Sequence, residues 1–229
     1  MDRTRRAEDA IEQSDVIVGY KRYVQSIQDL TTGKRCVVSG MRQETERCRE
    51  ALRLVSEGWT VSLISSGDPG VYGMAGLALE LAAEEGREIP IEIVPGVTAA
   101  NSAAASLGAP LMLDYATISL SDLLVPWDTI VRRLEAVAAA DLVVALYNPR
   151  SRQRVRQLEE AVEILLRYRA GSTPVGVVTA AHTDEERVEI SDLGHLLDLE
   201  IGMRSLVVIG NSKTKTLGPW LVTPRGYAL

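Results

Sequence analysis

A glycine-rich segment at residues 66–73, Ser-Gly-Asp-Pro-Gly-Val-Tyr-Gly, constrains the fold more than any other part of the chain. It follows an alternating apolar run that predicts a strand and precedes an Ala- and Leu-rich stretch that predicts a helix. Open α/β sheets bind ligands at such turns, because glycines allow close approach to the backbone. The carboxylate of Asp68 disfavours phosphate, so we expect a ligand with hydroxyl groups or positive charge.

Strand and helix patterns alternate along the whole chain, and a break at residues 108–110, Gly-Ala-Pro, divides them. We therefore predict two α/β domains, residues 1–109 with a mostly parallel sheet and residues 110–229 with more antiparallel pairing. The predicted helices are 5–13, 21–27, 44–56, 72–85, 99–107, 127–138 and 152–169. The predicted strands are 15–20, 60–65, 91–94, 115–120, 141–146, 174–179, 187–190 and 206–210.

Composition excludes several classes of protein. The net charge of −6 over 229 residues argues against general nucleic-acid binding, which needs a basic surface. The chain has no long apolar run and no signal-peptide pattern, so we expect a soluble, cytoplasmic protein without membrane contact. The chain has two cysteines and two histidines, and their spacing is not that of metal ligands. We therefore expect neither a disulfide framework nor a bound metal.

Six motifs lie along nearly the whole chain, at residues 66–73, 94–99, 118–124, 146–151, 208–212 and 222–227. Together they resemble the S-adenosylmethionine-dependent tetrapyrrole (corrin/porphyrin) methyltransferases. Three of them, at 118–124, 146–151 and 222–227, are most similar to the precorrin-3B C(17)-methyltransferases of that family. The resemblance implies two α/β domains with the cofactor cleft between them. It also implies two partners, a tetrapyrrole substrate and a second copy of the chain in a homodimer. It implies methylation of precorrin-3B, or of its cobalt form, at C(17) with ring contraction.

The resemblance also implies which residues contact the methyl donor. Each has a simpler structural reading: an ordinary Asp-Pro-Gly β-turn at 68–70, a helix cap at Thr98 and an aromatic core residue at Tyr147. The implied donor-binding residues are Ser66, Gly67, Asp68, Val71, Thr98, Ala99, Tyr147 and Ala181.

Ring contraction moves protons, so a weak acid or base would assist it. Asp122, Asp68 and Tyr147 are the candidates for that catalytic role, and Asp122 ranks first because it follows a predicted strand in the 118–124 segment. A precorrin carries many carboxylates, which arginine's planar fork suits, and Arg150 and Arg152 are the candidate substrate-binding residues. The alternative for these arginines is a solvated helix face paired with glutamates.

The sequence departs from the family pattern in two places. Residues 179–182 read Thr-Ala-Ala-His where relatives carry a more polar turn. The first predicted element is a helix, whereas relatives begin with a strand and a Gly-x-Gly-Pro-Gly turn, so we expect either an upstream start or a missing first strand. Two other functions therefore stay open: a methyltransferase acting on ribosomal RNA or protein, and a binding subunit with a defective donor site.

Overall fold

The computed structural model describes residues 2–86 and 89–228. The described chain divides into two compact units, Asp2–Thr98 and the part from Ala99 onward. The division falls before the helix at Ala99–Leu107, whereas the sequence pattern predicts a boundary after it, at 109/110. This helix groups with the second unit because it packs on strands that come later in the chain.

The first unit is an α/β layer with a parallel sheet. Its three strands pair in the order β2-β1-β3, and both pairings are parallel. A single turn of 3-10 helix lies at Gln28–Leu30. The elements are α1 (Arg5–Gln13), β1 (Val16–Tyr20), α2 (Lys21–Gln25), β2 (Arg35–Ser39), α3 (Glu44–Ser56), β3 (Val61–Ile64) and α4 (Ala75–Glu84).

The central strand β1 is buried on both faces, since successive side chains of a strand point to opposite sides. Ile17 packs with Ile11 of α1 and Val24 of α2 on one face. Val16 packs with Leu54 of α3 on the other. Helices therefore cover the sheet on both sides, which is why the strand is a continuous apolar run rather than an alternating one.

The first unit differs from the sequence prediction in two places. The strand β2 is absent from the prediction, because Arg35–Ser39 is short and half exposed. The strand predicted at 91–94 is wrong, since the described residues form no ladder there and Ile91 and Ile93 are exposed. Among described residues β3 pairs with β1 alone. The segment instead contacts α1, where Glu92 forms an ion pair with Arg6.

The second unit contains a five-stranded sheet in the order β5-β6-β9-β7-β8. β5 and β6 are parallel, and the other three pairings are antiparallel, as the short strands predicted. A small sheet, β10-β11-β4, and a 3-10 helix at Leu193–Asp198 complete the unit. The elements are α5 (Ala99–Leu107), β4 (Gly108–Ala109), β5 (Tyr115–Ser119), α6 (Trp127–Ala139), β6 (Val143–Tyr147), α7 (Arg156–Leu166), β7 (Pro174–Thr179), β8 (Arg187–Asp192), β9 (Ser205–Ile209), β10 (Lys215–Leu217) and β11 (Trp220–Val222).

The largest core cluster lies in this unit, where apolar side chains of α6 and α7 pack against the sheet. Leu134 of α6, Leu158 and Leu165 of α7 and Leu146 of β6 have no exposed surface. The well-packed sheet holds the ends of β5 and β6 in fixed positions. Across the described residues, no helix has the length and apolar character that crossing a membrane requires.

Candidate functional site

The glycine-rich loop of the first unit lies at the carboxyl end of β3 and leads into α4. Gly67 has a φ of 71°, which favours glycine, and Tyr72 also has a positive φ, 53°. The carboxylate of Asp68 accepts a hydrogen bond from the backbone N–H of Gly70 at 2.8 Å. Asp68 therefore caps its own turn, as Asp in a turn often does. Ser66 and Gly67 are exposed, and Val71 is half-buried.

The same carboxylate also holds a second glycine turn. Its other oxygen accepts a hydrogen bond from the N–H of Gly96 at 3.0 Å. A Cβ atom built on Gly96 would lie 2.0 Å from the carbonyl oxygen of Gly67, so only glycine fits. Asp68 thus joins the 66–71 loop to the 95–97 turn, and that turn leads directly into Thr98, which is half-buried.

This contact changes the expected role of Asp68. From the sequence we expected its carboxylate to meet a ligand's hydroxyl groups or charge, but both of its oxygens accept backbone hydrogen bonds. A carboxylate oxygen can accept more than one hydrogen bond, so this does not remove it from a binding role. The arrangement does make Asp68 the group that sets the spacing of two exposed backbone turns.

In the second unit, Tyr147 ends the buried strand β6 and is itself buried. Its hydroxyl oxygen accepts a hydrogen bond from the N–H of Ala100 at 2.9 Å, in the first turn of α5. The preceding residue, Ala99, is exposed. Tyr147 is therefore both a core residue and the hydrogen-bond acceptor for a backbone N–H in the first turn of α5.

Arg154 connects the loops that follow β5 and β6, a role the sequence did not reveal. Its guanidinium donates to the carbonyl oxygen of Asn148 at 2.7 Å and to Ser121 Oγ at 3.5 Å. Burial lowers the pKa of Arg154, and the charge of Asp122 opposes that shift. The sequence pattern singled out Arg150 and Arg152 instead, because the contacts of Arg154 depend on how β5 and β6 align.

The other predicted residues of this region, Asp122, Arg150 and Arg152, differ in their exposure and in their partners. Asp122 is exposed, and its carboxylate accepts a hydrogen bond from Gln157 Nε2 at 2.9 Å. Arg150 is half-buried and forms an ion pair with Glu159 at 3.4 Å. Arg152 is exposed. Arg150 thus pairs with a glutamate, as in the alternative to substrate binding, whereas the exposed Arg152 is accessible to a ligand.

Ala181 lies in the turn between β7 and β8 and is half-buried. Both of its neighbours have positive φ values, 52° at Ala180 and 56° at His182. The turn is tied to α5, because Ser106 Oγ lies 3.2 Å from both His182 Nε2 and a carboxylate oxygen of Glu186. The sequence at 179–182, which departs from the family pattern, therefore forms a turn that is bonded to α5.

Comparisons with known proteins agree with this fold and these motifs. The sequence model of a family described as Tetrapyrrole (Corrin/Porphyrin) Methylases matches residues 2–197. The match covers well over half of the chain, which defines the class of protein as a methylase. The chain belongs to the tetrapyrrole methylase family.

Individual relatives narrow the similarity. The cobalt-factor III methyltransferase of Priestia megaterium is 50% identical over 228 residues, which are 98% of this chain and 42% of that protein. The probable cobalt-factor III C(17)-methyltransferase of Salmonella typhimurium is 43% identical and is matched over 94% of its length and 99% of this chain. The crystal structure of the methyltransferase CobJ has a TM-score of 0.89 at 36% identity, covering 96% of this chain and 93% of that one.

These relatives bear on the choices left open by the sequence. The Priestia and Salmonella proteins are both named for methylation of cobalt-factor III, which does not favour an RNA or protein substrate. The chain spans under half the length of the Priestia protein and nearly all of the Salmonella protein. The donor-contacting residues, the acid or base and the substrate-binding arginines stay predictions.

Proposed function

We propose that this chain transfers a methyl group from S-adenosylmethionine to C(17) of precorrin-3B or its cobalt counterpart, in cobalamin biosynthesis. The observation that carries the proposal is the pair of glycine turns joined by Asp68. The near full-length match to the Salmonella C(17)-methyltransferase supports the choice of substrate. The cobalt form is the better candidate, because the Priestia and Salmonella relatives are both named for cobalt-factor III.

The donor would lie against the backbone of the two turns. Gly67 and Gly96 approach so closely that no side chain separates them, and this leaves backbone groups for a nucleoside to contact. The donor itself supplies an electrophilic methyl group on a sulfonium sulfur. Ser66, Val71, Thr98 and Ala99 follow or flank these turns and would line its pocket, with Tyr147 fixing the start of α5 and Ala181 as a further contact.

The protein's contribution to methyl transfer is positioning and exclusion of water, since the nucleophilic carbon belongs to the substrate. Ring contraction needs proton movement as well. Asp122 suits that role because it is exposed and follows Ser121, whose hydroxyl group Arg154 contacts. Tyr147 suits it less, because its hydroxyl is buried and already accepts a hydrogen bond. Arg152 and Arg150 would meet the acidic side arms of the macrocycle.

Two measurements on one set of variants test the proposal. Isothermal titration measures binding of S-adenosylhomocysteine, and transfer of a labelled methyl group to cobalt-factor III measures turnover. Asp68→Ala should weaken donor binding about tenfold or more, because both turns lose the group that spaces them. The control Asp9→Ala removes an exposed carboxylate from α1 and should change neither measurement.

The two measurements separate the parts of the proposal. Donor binding without methyl transfer to the macrocycle would refute the assigned substrate. No binding of S-adenosylhomocysteine by the wild-type chain would refute the donor site and favour a binding subunit. A homodimer and a cytoplasmic location belong to the proposal too, and light scattering at micromolar concentration tests the first.

A further inference from the structure

A second concave region of the first unit lies apart from the glycine turns. It is a cavity of about 550 Å³ at the carboxyl ends of β1 and β2. Parallel sheets bind ligands at this edge, and the 66–71 loop leaves β3 at the same edge. The described residues that line the cavity are Tyr20, Lys21, Arg22, Gln25, Val38, Ser39, Gly40, Met41 and Gln43.

The chemistry of the lining is cationic. Lys21 and Arg22 are exposed at its wall, and none of the nine lining residues is acidic. Two amides, Gln25 and Gln43, add hydrogen-bonding capacity. An open cavity with two cations and no carboxylate in its lining would attract an anion.

A third cation, the buried Arg47, contacts two of the residues that line the cavity. Arg47 of α3 is 4% exposed, and its guanidinium donates to Ser39 Oγ at 2.7 Å and to the carbonyl oxygen of Gly40 at 2.6 Å. It also lies 6.0 Å from the ring centre of Tyr20. Within residues 2–86 and 89–228, no ion pair joins Arg47 to a carboxylate.

A buried arginine without an anionic partner is costly unless something compensates its charge. Its contacts fix two lining residues, Ser39 and Gly40, and a further contact from its guanidinium to Met74 Sδ at 3.2 Å reaches the start of α4. Arg47 is therefore a positioning residue for the cavity floor. Its charge has the same sign as those of Lys21 and Arg22, and the three together would attract an anion.

We propose that this cavity binds carboxylate side arms of the tetrapyrrole substrate. Besides its cations the lining exposes Val38 and Met41, an apolar surface suited to the edge of a flat ring and to the methylene groups of acetate and propionate arms. The inference rests on the proposed function, which supplies a polycarboxylate macrocycle. It adds a binding site, formed by Lys21 and Arg22, that the sequence motifs did not indicate.

Two corrins that differ in their side arms test the carboxylate requirement. Cobyrinic acid carries free carboxylates, whereas cobinamide carries amides on the same ring. The change in corrin absorbance gives a dissociation constant for each. The wild-type chain should bind cobyrinic acid more tightly than cobinamide, and added salt should weaken the first more than the second.

The double variant Lys21→Gln with Arg22→Gln should weaken cobyrinic acid binding by about tenfold or more, since hydrogen bonds to charged groups are the stronger kind. Its cobinamide affinity should stay unchanged. The matched control Arg35→Gln with Arg49→Gln removes two exposed arginines of the same unit outside the lining. The control should bind both corrins like wild type.

The inference would be overturned by wild-type affinity for cobyrinic acid in the cavity variant, by equal weakening in the control, or by no cobyrinic acid binding by the wild-type chain. Binding of S-adenosylhomocysteine, measured on every variant, reports that the donor loops stay folded. Failure of the proposed function is distinct, because it would abolish methyl transfer in the wild-type chain. An affinity for inorganic phosphate equal to that for cobyrinic acid would also contradict the inference.

Discussion

Replacing Gly96 by alanine should open the contact between the two glycine turns. The new Cβ would lie 2.0 Å from the Gly67 carbonyl oxygen, whereas real Cβ atoms keep at least 3.0 Å from such neighbours. The oxygen is backbone and cannot rotate away, so one of the turns must move by roughly 1 Å. A movement of that size separates the Gly96 N–H from its acceptor on Asp68, which lies 3.0 Å away.

Two effects set the size of the loss. Forcing extra volume into a filled space costs about 1–3 kcal/mol. Losing a hydrogen bond to a charged acceptor costs about 1.5 kcal/mol at the low end of its range, which suits a half-buried carboxylate. We therefore expect Gly96→Ala to lower the free energy of unfolding by about 3 kcal/mol. Donor affinity should fall with it, because both turns belong to the proposed pocket.

Urea unfolding followed by circular dichroism measures the change, with S-adenosylhomocysteine titration on the same samples. The midpoint should fall by roughly 1 M or more. The control is Gly76→Ala in α4, where a new Cβ meets nothing within 4 Å. It should be neutral or stabilise by up to about 1 kcal/mol, because alanine favours helix. An unchanged midpoint and unchanged donor affinity in Gly96→Ala would refute this reasoning.

Three further changes probe the second unit. Arg169→Met should destabilise it by about 2–4 kcal/mol in urea unfolding, because the buried guanidinium bonds two backbone carbonyls, and a loss below 0.5 kcal/mol would contradict this. The pKa of His195 is raised by its hydrogen bond to Asp192, so the pair stabilises at pH below about 6.5 and loses this effect as pH rises through the folded pKa. In an NMR titration, the midpoint of His195 should lie above the ordinary pKa of histidine, and Asp192→Asn should lower it. Equal His195 midpoints in the wild type and the variant would contradict this assignment. Asp122→Asn should slow ring contraction at unchanged donor affinity, and full-rate contraction with normal substrate binding would exclude Asp122 as the acid or base.

The sequence predicted most elements whose formation depends on local pattern. The helices α1, α3 and α6 and the strands β1 and β7 form close to their predicted positions, because the residue pattern within each segment favours that element. The sequence prediction failed where the pairing of a strand with a neighbouring strand decides whether that strand forms. β2 forms through its parallel partner β1, whereas the β-like pattern at 91–94 has no partner among the described residues and stays without a ladder.

The site shows the same division between local and tertiary information. Motifs located the glycine turns and the Tyr147 loop, since each is continuous in sequence. They could not reveal that Asp68 bonds the turn at Gly96, because the partners are 28 positions apart. Arg154 and Arg47 were missed as positioning residues for the same reason. Their roles depend on which loops the sheets bring side by side.

The most direct test of the account is a crystal structure of the chain with S-adenosylhomocysteine. We predict that the bound nucleoside contacts the backbone of residues 66–71 and of the segment from 96 to 99, with the Asp68 carboxylate still bonded to both glycine N–H groups. A nucleoside bound elsewhere, or ordered turns that it does not touch, would contradict the central claim.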